Sequence, residues 1–250
     1  MRVAIMQPTY LPWLGFFDLM AESDLFVFLD HVQFEKESWH NRNRIKSPEG
    51  WLWLTVPVLK RGRSQQAITE VEIVPESRWP QKHLNALRHN YAQAPFRETH
   101  LPAFEAAYAV RWQRLCDLNI ALCLHLAVCL GVRTTFLRSS ELGAGGQKTD
   151  LVVDICLRLG ADEYLSPAGA RCYLDPEAFE RRGLRLLYQD YHHPSYPQLH
   201  GPFISHLSAV DALFNCGPEA ATLIGENRAK GGGAWLRHPS APTLGAPAAP

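Results

Sequence analysis

Residues 3–18, Val3-Ala4-Ile5-Met6-Gln7-Pro8-Thr9-Tyr10-Leu11-Pro12-Trp13-Leu14-Gly15-Phe16-Phe17-Asp18, decide how this chain is read. The apolar start reads as a strand, the middle, punctuated by proline and glycine, as a tight loop, and Phe16 to Ala21 as a helix. Strand, short loop and helix form the unit of open α/β sheets. In such sheets ligands bind beyond the C-terminal strand ends, where helix N-termini offer free N–H groups and a positive dipole. Taken alone, the loop is also compatible with a rigid, well-packed turn.

The rest of the chain repeats the unit. Leu25–Leu29 is a continuous apolar run, as in a strand covered on both faces, with Asp30 and His31 at its C-terminal end. Trp51–Val58, Glu70–Val74, Thr134–Arg138, Glu163–Ser166 and Leu184–Tyr188 read as further strands. Residues 38–44 read as a polar loop. Arg78–Tyr91 has apolar residues at helical spacing, Pro102–Leu130 reads as one long or two joined helices, and Lys148–Gly160 and Ser205–Phe214 complete the helical set. The expected fold is α/β and Rossmann-like, a largely parallel sheet with a helical insertion or subdomain in the middle. Residues 1–77 and 133–228 would form its two halves and 78–132 the helical segment. The Gly-, Pro- and Ala-rich tail, 229–250, would be disordered.

The 250 residues suffice for one large or two small domains. Formal net charge is zero, from 25 basic and 25 acidic residues, so the chain as a whole exerts no pull on nucleic acid. The longest nearly apolar run, Ile120–Val132, is shorter than the ~20 residues a spanning helix takes, and the start lacks the pattern of a secretion signal. A cytoplasmic protein without membrane insertion is expected. Its six cysteines form no C-x-x-C pair and read as small packing residues. The histidine spacing argues against metal, since neighbouring His192 and His193 point apart on most backbones.

Four segments could carry chemistry. In the first loop, which ends at Gly15, Gln7 can donate and accept, Tyr10 can stack or hydrogen-bond, and Pro8 and Pro12 limit freedom. In His40-Asn41-Arg42-Asn43-Arg44, planar guanidinium forks suit a phosphate or carboxylate. Gly143, Gly145 and Gly146 precede Lys148, so backbone N–H groups and a cation could cradle an anion, although the Walker spacing is absent. In Tyr188–Phe203, His193 could serve as general base with Asp190 orienting it, beside Tyr191, Tyr196 and Gln198. No GxSxG elbow, kinase set or full GxGxxG occurs.

In this order the segments resemble the WbqC-like protein family. The resemblance lies in IMQPTYLPWLGFFDLM, WHNRNRIKSPEGWLWLTVPV, the KRGR loop with Ile68, WPQKHLNALRHNYAQAPF, KTDLVVDICLRLGADEYLSPAGARCYL and YQDYHHPSYPQLHGPFISHLSAVDALFNCG. Pro167 departs from the glycine of the family's SGxGA-like turn. The resemblance implies a role in building surface polysaccharides, such as lipopolysaccharide O-antigen, or related secondary metabolites. The opening is also similar in layout to nucleotidyltransferases of the HIGH type, but the H-x-G-H pair is absent.

These readings combine into a group-transfer enzyme acting on an anionic, nucleotide-linked or otherwise activated small molecule, by acyl or aminoacyl transfer to an amino sugar or amine. Gln7, Pro8, Tyr10, Gly15, Asn41, Arg42, Asn43, Arg44, Lys148, Tyr191, Tyr196 and Gln198 would bind substrate. His193, or else His40, would be the base. A nucleotidyltransferase-like activating enzyme and a non-catalytic sugar-nucleotide binder are the alternatives. No cofactor is evident, and magnesium enters only with the nucleotidyltransferase reading.

Overall fold

The structure is a computed structural model that describes residues 1–63 and 65–225; the expected disordered tail, 229–250, lies outside the described residues. Alternate residues of a strand face opposite sides of a sheet, and here both sides are apolar. In β1 (Arg2–Met6), Val3 and Ile5 join one core and Ala4 the other; in β2 (Leu25–Phe28), Leu25 and Val27 part in the same way from Phe26 and Phe28. With β5 (Thr135–Arg138), β6 (Glu163–Ser166) and β7 (Arg185–Tyr188) they make a five-stranded sheet in the order β5-β2-β1-β6-β7, every pairing parallel. The chain runs outward from β1 to one edge, then crosses back and runs to the other. This is the arrangement of doubly wound sheets, and the reversal lies between β1 and β6.

Helices cover both faces. The larger core takes buried side chains from α1 (Leu14–Ala21), α2 (Trp79–Asn90), α3 (Arg97–Ala109), α4 (Leu115–Cys129) and α7 (Ala209–Cys216). The smaller core takes Leu151, Val152, Val153 and Ile155 of α5 (Thr149–Arg158) and Phe179 of α6 (Pro176–Glu180). The α/β architecture with a parallel sheet is thus the one read from the sequence.

Two local expectations change. Residues 42–44, read as the end of a polar loop, instead open a strand, β3 (Arg42–Ser47), paired antiparallel with β4 (Gly50–Thr55). Pro48 and Glu49 turn the chain between them, and burial of Asn43 and Ile45 overrides the low strand propensity of the charged residues. Glu70–Val74 is not a strand: a 3₁₀ turn, Ile68–Glu70, is followed by isolated bridges at Glu72 and Ile73. The long helical region is two helices, α3 and α4, one of the two arrangements expected. Among the described residues no helix is long and apolar enough to cross a membrane.

Candidate active site

The C-terminal ends of the parallel strands gather the polar residues. The loop after β1 is held through its own carbonyls. Asn119 Nδ2 on α4 donates to Pro8 O at 3.1 Å, and Asn43 Nδ2 donates to Tyr10 O at 3.1 Å and Leu11 O at 2.7 Å. The Ala209 N–H donates to Pro12 O at 2.8 Å. Leu11 sits at φ +45°, a left-handed conformation rare for a leucine, so the surrounding bonds must over-determine it. The loop therefore presents Gln7 from a fixed frame.

Gln7 meets His40. The Glu35 N–H donates to His40 Nδ1 at 3.3 Å, which leaves the ring proton on Nε2, and Nε2 donates to Gln7 Oε1 at 3.0 Å. His40 is buried, and burial lowers its pKa. Asn119 Nδ2 also donates to His40 O at 2.7 Å, so one buried amide ties the two loops together. The Gln7 carboxamide nitrogen has no partner among the described residues.

A second constellation lies at the ends of β2 and β5. Asp30 is fully buried: its Oδ2 pairs with Arg138 Nε at 2.6 Å and accepts from Ser140 Oγ at 2.9 Å. Its Oδ1 accepts from the Ser140 N–H at 2.9 Å and from Ser139 Oγ at 3.0 Å. With that hydroxyl proton committed to Asp30, His31 Nδ1 donates to Ser139 Oγ, at 2.6 Å. A relay results in which His31 Nδ1–H, Ser139 O–H and Asp30 fix the ring's tautomer. His31 is partly exposed, and its Nε2 has no partner among the described residues. Met6 pairs with Phe28, so Gln7 and the Asp30–His31 step leave the sheet at the same end of adjacent strands.

A family model, the WbqC-like protein family, matches residues 7–223, a span holding Gln7, His31, His40, Arg138 and Ser139. The chain belongs to the WbqC-like protein family. It is also similar to an uncharacterized protein, Rv1507c, of Mycobacterium tuberculosis (strain ATCC 25618 / H37Rv), 37% identical over 221 residues, which are 88% of this chain and 95% of the relative. No solved structure matches.

Of the residues singled out in this WbqC-like chain, contacts join Gln7 directly to His40, and Asn43 to the loop that carries Pro8 and Tyr10. Tyr10 is fully buried and hydrogen-bonds through its hydroxyl to His83 Nδ1 at 2.8 Å and to Tyr108, so it faces the helical core. Asn41 is buried and donates to Val56 O at 2.9 Å. The space beside Gly15 is filled by the Trp13 indole, and Gly15 O accepts from Gln189 Nε2 at 2.9 Å. Arg42 and Arg44 lie among tryptophans on the β3–β4 hairpin, and among the described residues no hydrogen bond joins their side chains to Gln7 or His40.

The histidine segment folds inward on itself. His193 Nε2 accepts from the His206 N–H at 3.2 Å and His193 Nδ1 lies 3.3 Å from the Tyr191 hydroxyl, so both ring nitrogens are engaged. The ring stacks on His206 at 4.6 Å, and burial, with His206 second, lowers its pKa to about 4. Asp190 pairs instead with His192, both largely exposed. Tyr196 and Gln198 donate to Asp211, at 3.0 and 2.8 Å. Asp211 is itself fully buried. Lys148 is exposed at φ +50° before α5, and the Gly145 N–H of its loop donates to Asp154 Oδ2 at 2.9 Å, so the chain's own carboxylate uses that donor. Cys172, expected as packing, is exposed.

The sequence reading left out His31 as a site residue, together with Arg138, Ser139 and Asn119. The signal available was Asp30-His31 at the end of an apolar strand; its partner Ser139 lies 108 residues away from His31. Among the described residues no group of three or more His, Cys, Asp or Glu could hold a metal ion.

Proposed function

We propose that this WbqC-like protein is a group-transfer enzyme of surface-polysaccharide or related secondary-metabolite biosynthesis, and that the strand-end crest from Gln7 to Ser139 is its active site. The observation that carries the reading is the His31–Ser139–Asp30 relay. We assign the acid–base role to His31 rather than to His193 or His40. His31 Nε2 has no protein partner among the described residues, whereas both ring nitrogens of His193 and of His40 are engaged.

In acyl transfer to an amine, His31 Nε2 accepts the amine proton as the nitrogen bonds the acyl carbon. The bond to the donor's leaving oxygen or sulfur then breaks, and that atom leaves with the proton returned from Nε2. Ser139 and Asp30 hold the Nδ1–H tautomer and stabilise the imidazolium that forms between the two steps. The Gln7 amide, oriented by His40, offers its N–H groups to the acyl carbonyl. A nucleotide-linked donor fits the strand order, since doubly wound sheets bind nucleotides where the order reverses. That order also supports a second reading, nucleotidyl transfer to the substrate, marked by release of pyrophosphate and a need for magnesium.

The experiment is a thermal-shift screen of nucleotides, sugar-nucleotides and acyl-coenzyme A compounds, followed by incubation of hits with amine acceptors and mass spectrometry. A His31→Gln variant should lose product formation roughly 10²–10⁴-fold at unchanged thermal stability. Saturable binding with no new product from any pair would favour the carrier reading over both enzymes.

A further inference from the structure

The outer face of the β3–β4 hairpin holds a cluster that the crest chemistry does not use. Arg44 stands opposite Trp53 in the register, and its guanidinium carbon lies 5.4 Å from the Trp51 ring, 5.5 Å from Trp39 and 5.9 Å from Trp53. Arg42 lies over Trp53 at 4.6 Å, and one of its terminal nitrogens donates to Glu37 O. Trp39 and Trp53 are 5.4 Å apart and Trp51 and Trp53 are 5.6 Å apart, so three neighbouring indoles form a fence beside the Arg44 fork.

Two features of this fence are incomplete. First, neither arginine forms an ion pair among the described residues. The side chain of Arg44 makes no hydrogen bond there, and its Nε is buried without a partner. The guanidinium is thus shielded from water at Nε without a carboxylate in exchange, and its planar fork matches a bidentate oxyanion. Second, Trp39 and Trp51 are 47% and 44% exposed, although large aromatic residues are ordinarily well buried. Exposed indole faces beside a cation suit a flat or ring-shaped partner.

We infer that this face is a binding site for a ring compound bearing a phosphate or carboxylate, with the oxyanion on the Arg44 fork and the ring against Trp39, the more exposed of the two indoles. Arg42, held in place by Glu37 O and Trp53, adds a second positive charge at the rim. A nucleotide and a phosphorylated or acidic sugar share this chemistry. The proposal stands without the acid–base reading of His31, because no crest residue takes part in it.

The test follows tryptophan emission and calorimetric heat as full-length protein is titrated. The probes are uridine monophosphate, glucose 1-phosphate, glucuronic acid, inorganic phosphate and glucose. At least one of the first three should bind saturably and about 10-fold or more tighter than inorganic phosphate or glucose. Which of them binds distinguishes nucleotide from sugar. Arg44→Ala and Trp39→Leu should each weaken that binding about 10-fold or more, and Arg44→Lys should recover only part of the Arg44→Ala loss, since it restores charge without the fork. Trp39 is exposed, so its variant keeps the test open if Arg44→Ala does not fold. Flat titrations, equal affinity for inorganic phosphate, unchanged affinity in Trp39→Leu, or binding only to anionic phospholipid vesicles would each overturn the site. Binding with no turnover in any assay would count against the crest alone.

Discussion

Asp30 and Arg138 close a 2.6 Å ion pair between the ends of neighbouring parallel strands, with the Asp30 carboxylate wholly out of water. Two serines and a backbone N–H complete the carboxylate's coordination, the condition under which a buried charge is tolerated. Removing Arg138 strands the buried carboxylate, whereas Arg138 itself has a second partner in Asp117 at 2.9 Å. Arg138→Ala should therefore lower unfolding stability by about 3–5 kcal/mol, read from the urea midpoint. A midpoint within error of the wild type would show that the pair contributes nothing beyond its own desolvation.

Buried imidazoles make stability depend on pH. His83 and His125 both have pKa values lowered to about 4, in each case first by burial. An unfolded histidine titrates near 6.5, so between pH 6.5 and about 4 the unfolded chain binds the extra proton. Their contribution is full above pH 6.5 and is lost as pH falls through that window, by about 3 kcal/mol per ring. Urea midpoints should drop from pH 7.5 to pH 4.5, and His125→Leu should flatten the drop. Equal slopes in the two proteins would remove His125 from the account.

The sheet was legible because its strands are short apolar runs with both faces covered, a pattern that survives without knowledge of neighbours. Leu25–Phe28 and Glu163–Ser166 needed only their own residues. Arg42–Ser47 did not, because its strand character comes from pairing with Trp51–Thr55 and from burial of Ile45 against distant helices. The site divides in the same way. Gln7 and His40 stood out as polar residues in loops of unusual composition. His31 acquires its hydrogen-bonded tautomer only when β5 lies beside β2 and brings Ser139 to it. Tyr196 and Gln198 look like ligand residues in sequence because nothing local reveals that Asp211 is buried beneath them.

Gly15 is small for a reason internal to the loop. A Cβ there would sit 2.3 Å from the Trp13 ring, which in turn packs on His206 at 4.9 Å and Tyr191 at 5.2 Å. Helix propensity alone would make Gly15→Ala stabilising by about 1 kcal/mol. Overpacking costs about 1–3 kcal/mol, so the variant should be no more stable than the wild type and should lose near-ultraviolet circular dichroism as Trp13 is displaced. A more stable variant with an unchanged spectrum would mean that the indole moves aside freely.

Asp211 joins the segment after β7 to the rest of the molecule. Its Oδ1 accepts from the Tyr91 hydroxyl at 2.8 Å, and its Oδ2 accepts from the Tyr196 hydroxyl at 3.0 Å and Gln198 Nε2 at 2.8 Å. Lys46, also buried, donates through Nζ to Gln198 Oε1 at 3.3 Å and to Pro202 O, so strand β3 is tied to the same segment. Asp211→Ala would leave two buried hydroxyls and an amide short of acceptors, and stability should fall by about 3–5 kcal/mol. Tyr196→Phe should lose less, about 1–2 kcal/mol, since it removes one donor and leaves the carboxylate with its others. If the groups act as one network, the double variant should be less destabilised than the sum of the single ones, with a coupling of about 0.5–3 kcal/mol. Strict additivity would mean that the tyrosine and the carboxylate stabilise the fold independently, and that the segment is held by its aromatic contacts instead.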